Sequence, residues 1–293
     1  MIIWLASYPK SGNTWVRSFI SSILFSKDGK ANFDDMDKIK QFPSRRYFKN
    51  LVKNFQDIKE IKKNWITAQD IINLDNKIKF FKTHHMNCKI ENDGFTNEDN
   101  TFGVIYIVRD PRNVITSIMH HYHKSTYQEA KKFLFEEYNW LGFTNNELET
   151  KLESEIPKTK LESKIPTPIG SWKTHYRSWI KTKKNFLLIK YENLITDPNK
   201  EFGKITNYLE SAMNLKINSE KIQKSIQSCS FKNLSDLEIK SDFSESVIDR
   251  KTGKKKKFFN LGPNNDWKKL LDENIRLEIE EKFNIEMKEL GYL

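Results

Sequence analysis

A lysine in mid-loop and a histidine two residues after another lysine are the groups here whose types and spacing promise chemistry. The loop reads Ser7-Tyr8-Pro9-Lys10-Ser11-Gly12-Asn13-Thr14-Trp15. The apolar run Ile2 to Ala6 precedes it and reads as a buried strand; Trp15, Val16, Phe19, Ile20, Ile23 and Leu24 follow with helical period. A strand, a tight loop and a helix N-terminus make an anion cradle, because loop amides and the positive end of the helix dipole face one point. Triphosphate loops read G-x-x-x-x-G-K-[ST]. Here Ser7 holds the first glycine position, Asn13 stands where the lysine belongs, and Lys10 sits in mid-loop. That layout suits a shorter anionic chain and leans less on magnesium.

The second group is Lys82-Thr83-His84, at the end of a short strand-like run from Lys79. Side chains alternate along a strand, so Lys82 and His84 share one face while Thr83 and His85 take the other. The carboxyl end of a strand is where open α/β sheets bind ligands, and histidine is the commonest general base. His85 is the alternative if the strand ends sooner. A third pair is Arg109 and Ser117. The β-branched run Gly103 to Val108 leads into Arg109-Asp110-Pro111, with Asp110 as N-cap and Pro111 at the first helical position. A guanidinium fork and a hydroxyl so placed can hold one phosphate.

These segments resemble the sulfotransferases that use 3′-phosphoadenosine 5′-phosphosulfate (PAPS). The loop matches their Y-P-K-S-G-T-x-W pattern apart from Asn13 for threonine. Lys82-Thr83-His84 is similar to their K-T-H segment, and Arg109 to Ser117 matches their R-[DN]-P-[RK]-[DN]-x-x-x-S core at every stated position. The resemblance implies PAPS as cosubstrate, 3′,5′-adenosine bisphosphate (PAP) as product and no metal. It implies His84 as base, with Lys10 and Lys82 as further catalytic groups. Lys10, Ser11, Gly12, Asn13, Thr14 and Trp15 would hold the 5′ end; Arg109 and Ser117 would hold the 3′-phosphate. By the same resemblance Tyr191 lies near the nucleotide, Phe231 of Ser230-Phe231 borders the adenine, and Gly262 with Asp266-Trp267-Lys268 closes the site. The family's Arg-Lys pair before this glycine is replaced by Asn260-Leu261; backbone amides there, or Lys256 and Lys257, are the candidate substitutes. The closing segment Glu289 to Leu293 looks more like bacterial members than animal ones.

The elements that must position these residues alternate strand and helix along 293 residues. The run Phe186 to Tyr191 reads as a further strand, a helix is expected from Asp197-Pro198 to about Leu209, and an amphipathic helix from Lys268 to about Leu290. Such alternation implies a parallel sheet covered on both faces: an α/β, P-loop-like three-layer sandwich, one domain over residues 1–293. Insertions at about 28–75 and 123–170 are expected to shape the acceptor site. The first carries Phe42, Tyr47, Phe48, Phe55 and Trp65, which either line a pocket or pack on the sheet. The second nearly repeats Lys151-Leu-Glu-Ser-Glu-Ile-Pro157 as Lys160-Leu-Glu-Ser-Lys-Ile-Pro166.

Composition excludes several classes. Charged residues are 30% and aromatics 13%, as in a folded globular protein. No apolar run is long enough to span a bilayer, and two cysteines make no disulfide framework, so a cytoplasmic protein without a membrane partner is expected. The net charge of +11 fits a polyanionic cosubstrate better than nucleic acid, since no nucleic-acid module is legible around Arg250 to Lys257. His120, His121 and His123 have no acidic or cysteine partner at metal-binding spacing. The runner-up is a small-molecule kinase, opposed by Asn13. The acceptor, a hydroxyl or amine of a small molecule or glycan, and the oligomeric state are not legible.

Overall fold

The structure is a computed structural model, and its described residues are 1–142, 165–182, 184–241, 243, 245–248, 253 and 255–293. Most of the nine-residue near-repeat, and Arg250, Lys251, Thr252 and Lys254 of the basic block, lie outside them.

In chain order the elements that matter are β1 (Ile2–Ser7), α1 (Asn13–Leu24), β2 (Lys40–Gln41), β3 (Lys79–Thr83), β4 (Thr101–Val108) and α2 (Pro111–His121). There follow α3 (Trp172–Ile180), β5 (Phe186–Lys190), α4 (Tyr191–Thr196), α5 (Pro198–Met213) and α6 (Phe231–Lys240). The main sheet has five strands in the order β2-β3-β1-β4-β5. β1 and β3 run parallel, with Ile2 opposite Lys79 and Ala6 opposite Thr83; β2 is parallel to β3. Every residue of β1 is buried, which is why it reads as a continuous apolar run and not as an alternating one.

The chain divides into two compact units. The first is Met1–Tyr8, Lys40–Tyr106 and Glu136–Phe186. Its core is built around Trp4, whose ring lies 5.6 Å from Phe42, 5.3 Å from Phe95 and 6.4 Å from Trp179. Burial favours a partner for an indole N–H; Trp4 Nε1 donates to Thr101 Oγ1 at 3.0 Å. Phe42, Phe48 and Trp65 of the first insertion are fully buried: Phe42 packs on Trp4 and Phe81 of the sheet, Phe48 on Phe42, and Trp65 on His85 and Phe95. Tyr47 stands edge-on to Phe81, and Phe55 lies under the Arg45 guanidinium.

The second unit is Pro9–Ile39, Ile107–Phe135 and Leu187–Leu293. Phe19 of α1 stacks on Phe202 of α5 at 4.1 Å, and Phe33, Met36, Leu234, Phe243 and Phe259 form a further apolar cluster. Two expectations need correction. The strand before Tyr191 ends at Lys190, and Tyr191 opens the short helix α4. The single C-terminal helix is three: Trp267–Leu270, Glu273–Lys282 and Asn284–Glu289. Leu271 is extended (ψ 132°) and the Asp272 carboxylate accepts from Ile275 N, a side-chain cap that restarts the helix.

Candidate active site

The phosphate loop belongs to the second unit. Lys10 has φ 67° and Gly12 has φ 104°, so left-handed residues bracket Ser11. Alternation of this kind turns successive backbone N–H groups towards one concavity. Gly12 is the N-cap of α1, with no side-chain cap and no acid in the first turn, so the positive helix end is left for a ligand. Only glycine fits there: a Cβ at Gly12 would sit 2.5 Å from Cδ2 of Tyr191. Ser11 is buried and its hydroxyl has no partner among the described residues. Thr14 Oγ1 instead donates to Glu245 Oε2 at 2.8 Å, and Glu245 also pairs with Arg17 at 2.8 Å. The Lys10 ammonium lies 4.0 Å over the Phe258 ring.

Arg109 and Ser117 are brought together beside this loop. Arg109 NH1 donates to the Lys10 carbonyl and to Ser117 Oγ, each at 3.2 Å, and its guanidinium lies 4.0 Å over the Tyr191 ring. Asn265 Nδ2 donates to Ser117 Oγ at 3.2 Å and to the Asn113 carbonyl at 2.8 Å. Asp110 caps α2 as expected, accepting from Arg112 N. Its carboxylate is held by the Arg112 guanidinium at 2.6 Å. Arg112 also binds Glu280 and the Tyr292 carbonyl, and stacks over Trp267. Glu192 accepts from Asp110 N at 2.9 Å and from the Tyr292 hydroxyl at 2.9 Å. Burial pushes the Glu192 carboxyl up. Phe231 and Gly262 meet closely, since a Cβ on Gly262 (φ 52°) would stand 2.2 Å from the Phe231 ring.

The histidine end belongs to the first unit. Lys82 lies on β3, opposite Leu5 of β1, and is buried. His84 follows the strand, half-buried, with Nδ1 2.8 Å from the Ser7 carbonyl and 3.3 Å from Ser7 Oγ. A carbonyl only accepts, so Nδ1 carries the proton and Nε2 the basic lone pair. His85 is a different kind of residue. It is fully buried and stacked on Phe95 at 3.8 Å, with Trp65 edge-on. Burial first, then the neighbouring His175, lowers its pKa to about 3. It is a core residue, not a base.

The Sulfotransferase domain profile matches residues 2–291. The chain belongs to the sulfotransferase domain family. It is accordingly an enzyme that transfers a sulfonate group. Rat sulfotransferase 1E1 is 24% identical over 97% of this chain and 83% of its own length. The flavonol 3-sulfotransferase of Flaveria bidentis is 24% identical over 91% and 75%. Among solved structures, mouse sulfotransferase SULT7A1 complexed with PAP has 21% identity and a TM-score of 0.57, covering 98% of this chain and 84% of that one. A retinol dehydratase complexed with androsterone and inactive cofactor PAP has 15% identity and a TM-score of 0.59, covering 98% and 80%. These likenesses show the fold, a three-layer α/β sandwich about a largely parallel sheet.

In this sulfotransferase the structure collects Lys10, Ser11, Gly12, Asn13, Thr14, Trp15, Arg109, Ser117, Tyr191, Phe231 and Gly262 within the second unit, and Lys82 and His84 within the first. Lys256 donates to the His120 carbonyl at 2.9 Å, and His120 Nε2 lies 3.0 Å from the Lys257 carbonyl. Burial and the charges of Lys256, Lys10 and His123 lower the pKa of His120. Among the described residues no group of three or more His, Cys, Asp or Glu is placed to hold a metal. Sequence reasoning missed Glu245, Arg17, Asn265 and Phe258 around the phosphate loop and the Arg109–Ser117 pair, and Tyr106 and His175 around His84. His175 had a faint signal: Trp172, His175, Tyr176 and Trp179 fall on one helical stripe, and all four are buried.

Proposed function

We propose that this enzyme moves sulfonate from PAPS to a hydroxyl or amine of a small-molecule or glycan acceptor, with His84 as general base. The observation that carries the reading is the Arg109–Ser117 pair tied through Arg109 to the Lys10 carbonyl. A fork and a hydroxyl beside the 5′-phosphate loop are what a nucleotide with an extra 3′-phosphate needs and ATP does not. The residues fit the ligand in two other respects. The buried Ser11 hydroxyl has no protein partner among the described residues, and Gly12 and Gly262 leave room only for backbone beside two aromatic rings.

PAPS supplies a sulfonate already activated on a phosphate leaving group. Lys10, the loop amides and the α1 N-terminus offset the charge that grows on that phosphate. Lys82 polarises the sulfonate. His84, held with its lone pair on Nε2, takes the acceptor proton. The lysines provide the positive charge, so no metal is required.

Two measurements test this. PAP without magnesium should raise the melting temperature, as any ligand of the native state does; stabilisation by ATP with magnesium alone would replace the reading with a kinase. A screen of a phenol, a sterol, a sugar and an amine with labelled PAPS should yield one labelled product class. His84→Ala should then lower turnover roughly a hundredfold with PAP affinity unchanged.

A further inference from the structure

On the first unit, the His84 carbonyl accepts a hydrogen bond from His175 Nε2 at 3.1 Å. His175 Nδ1 in turn lies 2.9 Å from the Tyr106 hydroxyl. Both residues are buried at 1% exposure or less, and the His175 ring stands edge-on to Tyr8 at 5.8 Å. The directions of these bonds follow from elementary chemistry. A carbonyl can only accept, so His175 Nε2 bears a proton. In a neutral ring Nδ1 then accepts, so Tyr106 donates. The phenol oxygen keeps a lone pair for a hydrogen bond from the Tyr8 backbone. Every polar atom in the series has a role only if His175 holds this one tautomer. Burial pushes the His175 imidazole down to about 3 and the Tyr106 phenol well above its ordinary value, so neither ionises near neutrality.

We propose that His175, its Nε2–H tautomer dictated by the His84 carbonyl and supported at Nδ1 by the Tyr106 hydroxyl, is a positioning residue that fixes the backbone of the general base His84. The inference rests on His84 being the base. His84 is then held at two points: its ring by the Ser7 carbonyl and its main chain by His175. Ser7 ends β1, Tyr106 lies on β4 and His175 on α3. Three separate elements thus fix the direction in which Nε2 points, just past the end of β3. Small misplacements of a reacting group cost rate without costing ligand affinity.

Tyr106→Phe keeps the ring and removes the hydroxyl that donates to His175 Nδ1. The first readout needs neither cosubstrate nor acceptor: long-range proton–nitrogen spectra of 15N-labelled protein at pH 7.5. In the wild type His175 should show the Nε2–H tautomer and His84 the Nδ1–H tautomer. In Tyr106→Phe the His175 Nδ1 signal should shift as it loses its donor, and the His84 signals should move with it. The second readout is turnover of labelled PAPS with 4-nitrophenol as acceptor probe. It should fall about tenfold in Tyr106→Phe, with PAP affinity held within about twofold. His175→Leu should match or exceed that loss, and His175→Gln, whose amide can donate to the His84 carbonyl, should recover most of it. In a His84→Ala background, Tyr106→Phe should cost nothing further, because both changes act through one group. Wild-type turnover in His84→Ala would overturn the base assignment. An inactive His84→Ala, with His84 signals and turnover unchanged in Tyr106→Phe, would overturn the relay alone.

Discussion

Arg109→Ala separates a nucleotide anchor from a strut. The guanidinium makes two hydrogen bonds of 3.2 Å, one to the Lys10 carbonyl and one to Ser117 Oγ, and lies over Tyr191 at 4.0 Å. Losing the bond to Lys10 loosens the loop for every nucleotide that carries a 5′-phosphate. That common loss is about 1 kcal/mol, the net worth of one hydrogen bond. Losing the fork on a 3′-phosphate removes a charge-assisted contact worth about 1.5–3 kcal/mol. PAP and AMP differ only in the 3′-phosphate, so the common loss cancels in their comparison. Calorimetry should therefore show PAP weakened by roughly 10- to 150-fold more than AMP. Ser117→Ala should take a smaller part of the same difference. Equal losses for the two ligands would refute the 3′-phosphate assignment and leave Arg109 as a support for the loop.

Lys10→Met keeps the stem and removes the charge; turnover should fall more than PAP affinity, the mark of a contact that strengthens in the transition state, and equal falls would assign Lys10 to binding alone. Gly262→Ala places a Cβ 2.2 Å from the Phe231 ring at a positive φ of 52°. It should lower stability by about 1–3 kcal/mol and weaken PAP, and wild-type values for both would detach Phe231 from the nucleotide. His85 and His175, each lowered to about 3 by burial, bind a proton only when unfolded between that value and the ordinary one. Their stabilisation is complete above about pH 6.5 and is lost as pH falls, about 2 kcal/mol each by pH 5. Melting temperature should drop over that range and drop less in His85→Phe; a flat profile in the wild type would place both rings in water.

The geometry of the phosphate loop and of the Arg109–Ser117 pair was legible where its signal is contiguous. Residues 7–15 and 109–117 carry their residue types at fixed spacing, and local geometry does the rest: a strand end, a helix start, and a loop between. Arg109 meets Ser117 because it stands just before the N-cap of the helix whose second turn carries Ser117. The partners that were not legible come from far along the chain. Glu245 reaches Thr14 across 231 residues, and Asn265 reaches Ser117 across 148. No periodicity reports such a pairing. α4 was missed for a different reason: its N-terminus has no side-chain cap, so nothing in the sequence marks where β5 stops. His175 was hidden by its neighbours, since a histidine among Trp172, Tyr176 and Trp179 reads as ordinary core. The break at Leu271-Asp272 could have been read, because an aspartate three residues before an isoleucine in a helical run is a capping signal.

The Tyr292 strap has a consequence for synthesis. Arg112, three residues past Arg109, is bound to the Tyr292 carbonyl across 180 residues, and Glu192 joins Asp110 N to the Tyr292 hydroxyl. A ribosome adding about 5–20 residues per second takes roughly 10–35 seconds to cover that interval. Throughout it Arg109 and Ser117 are already part of the nascent chain, but the strap beside them is not. Nucleotide should therefore be captured only after the segment carrying Tyr292 has been made. Ribosome-bound chains halted before Tyr292 should hold PAP more weakly than chains halted with Tyr292 clear of the exit tunnel.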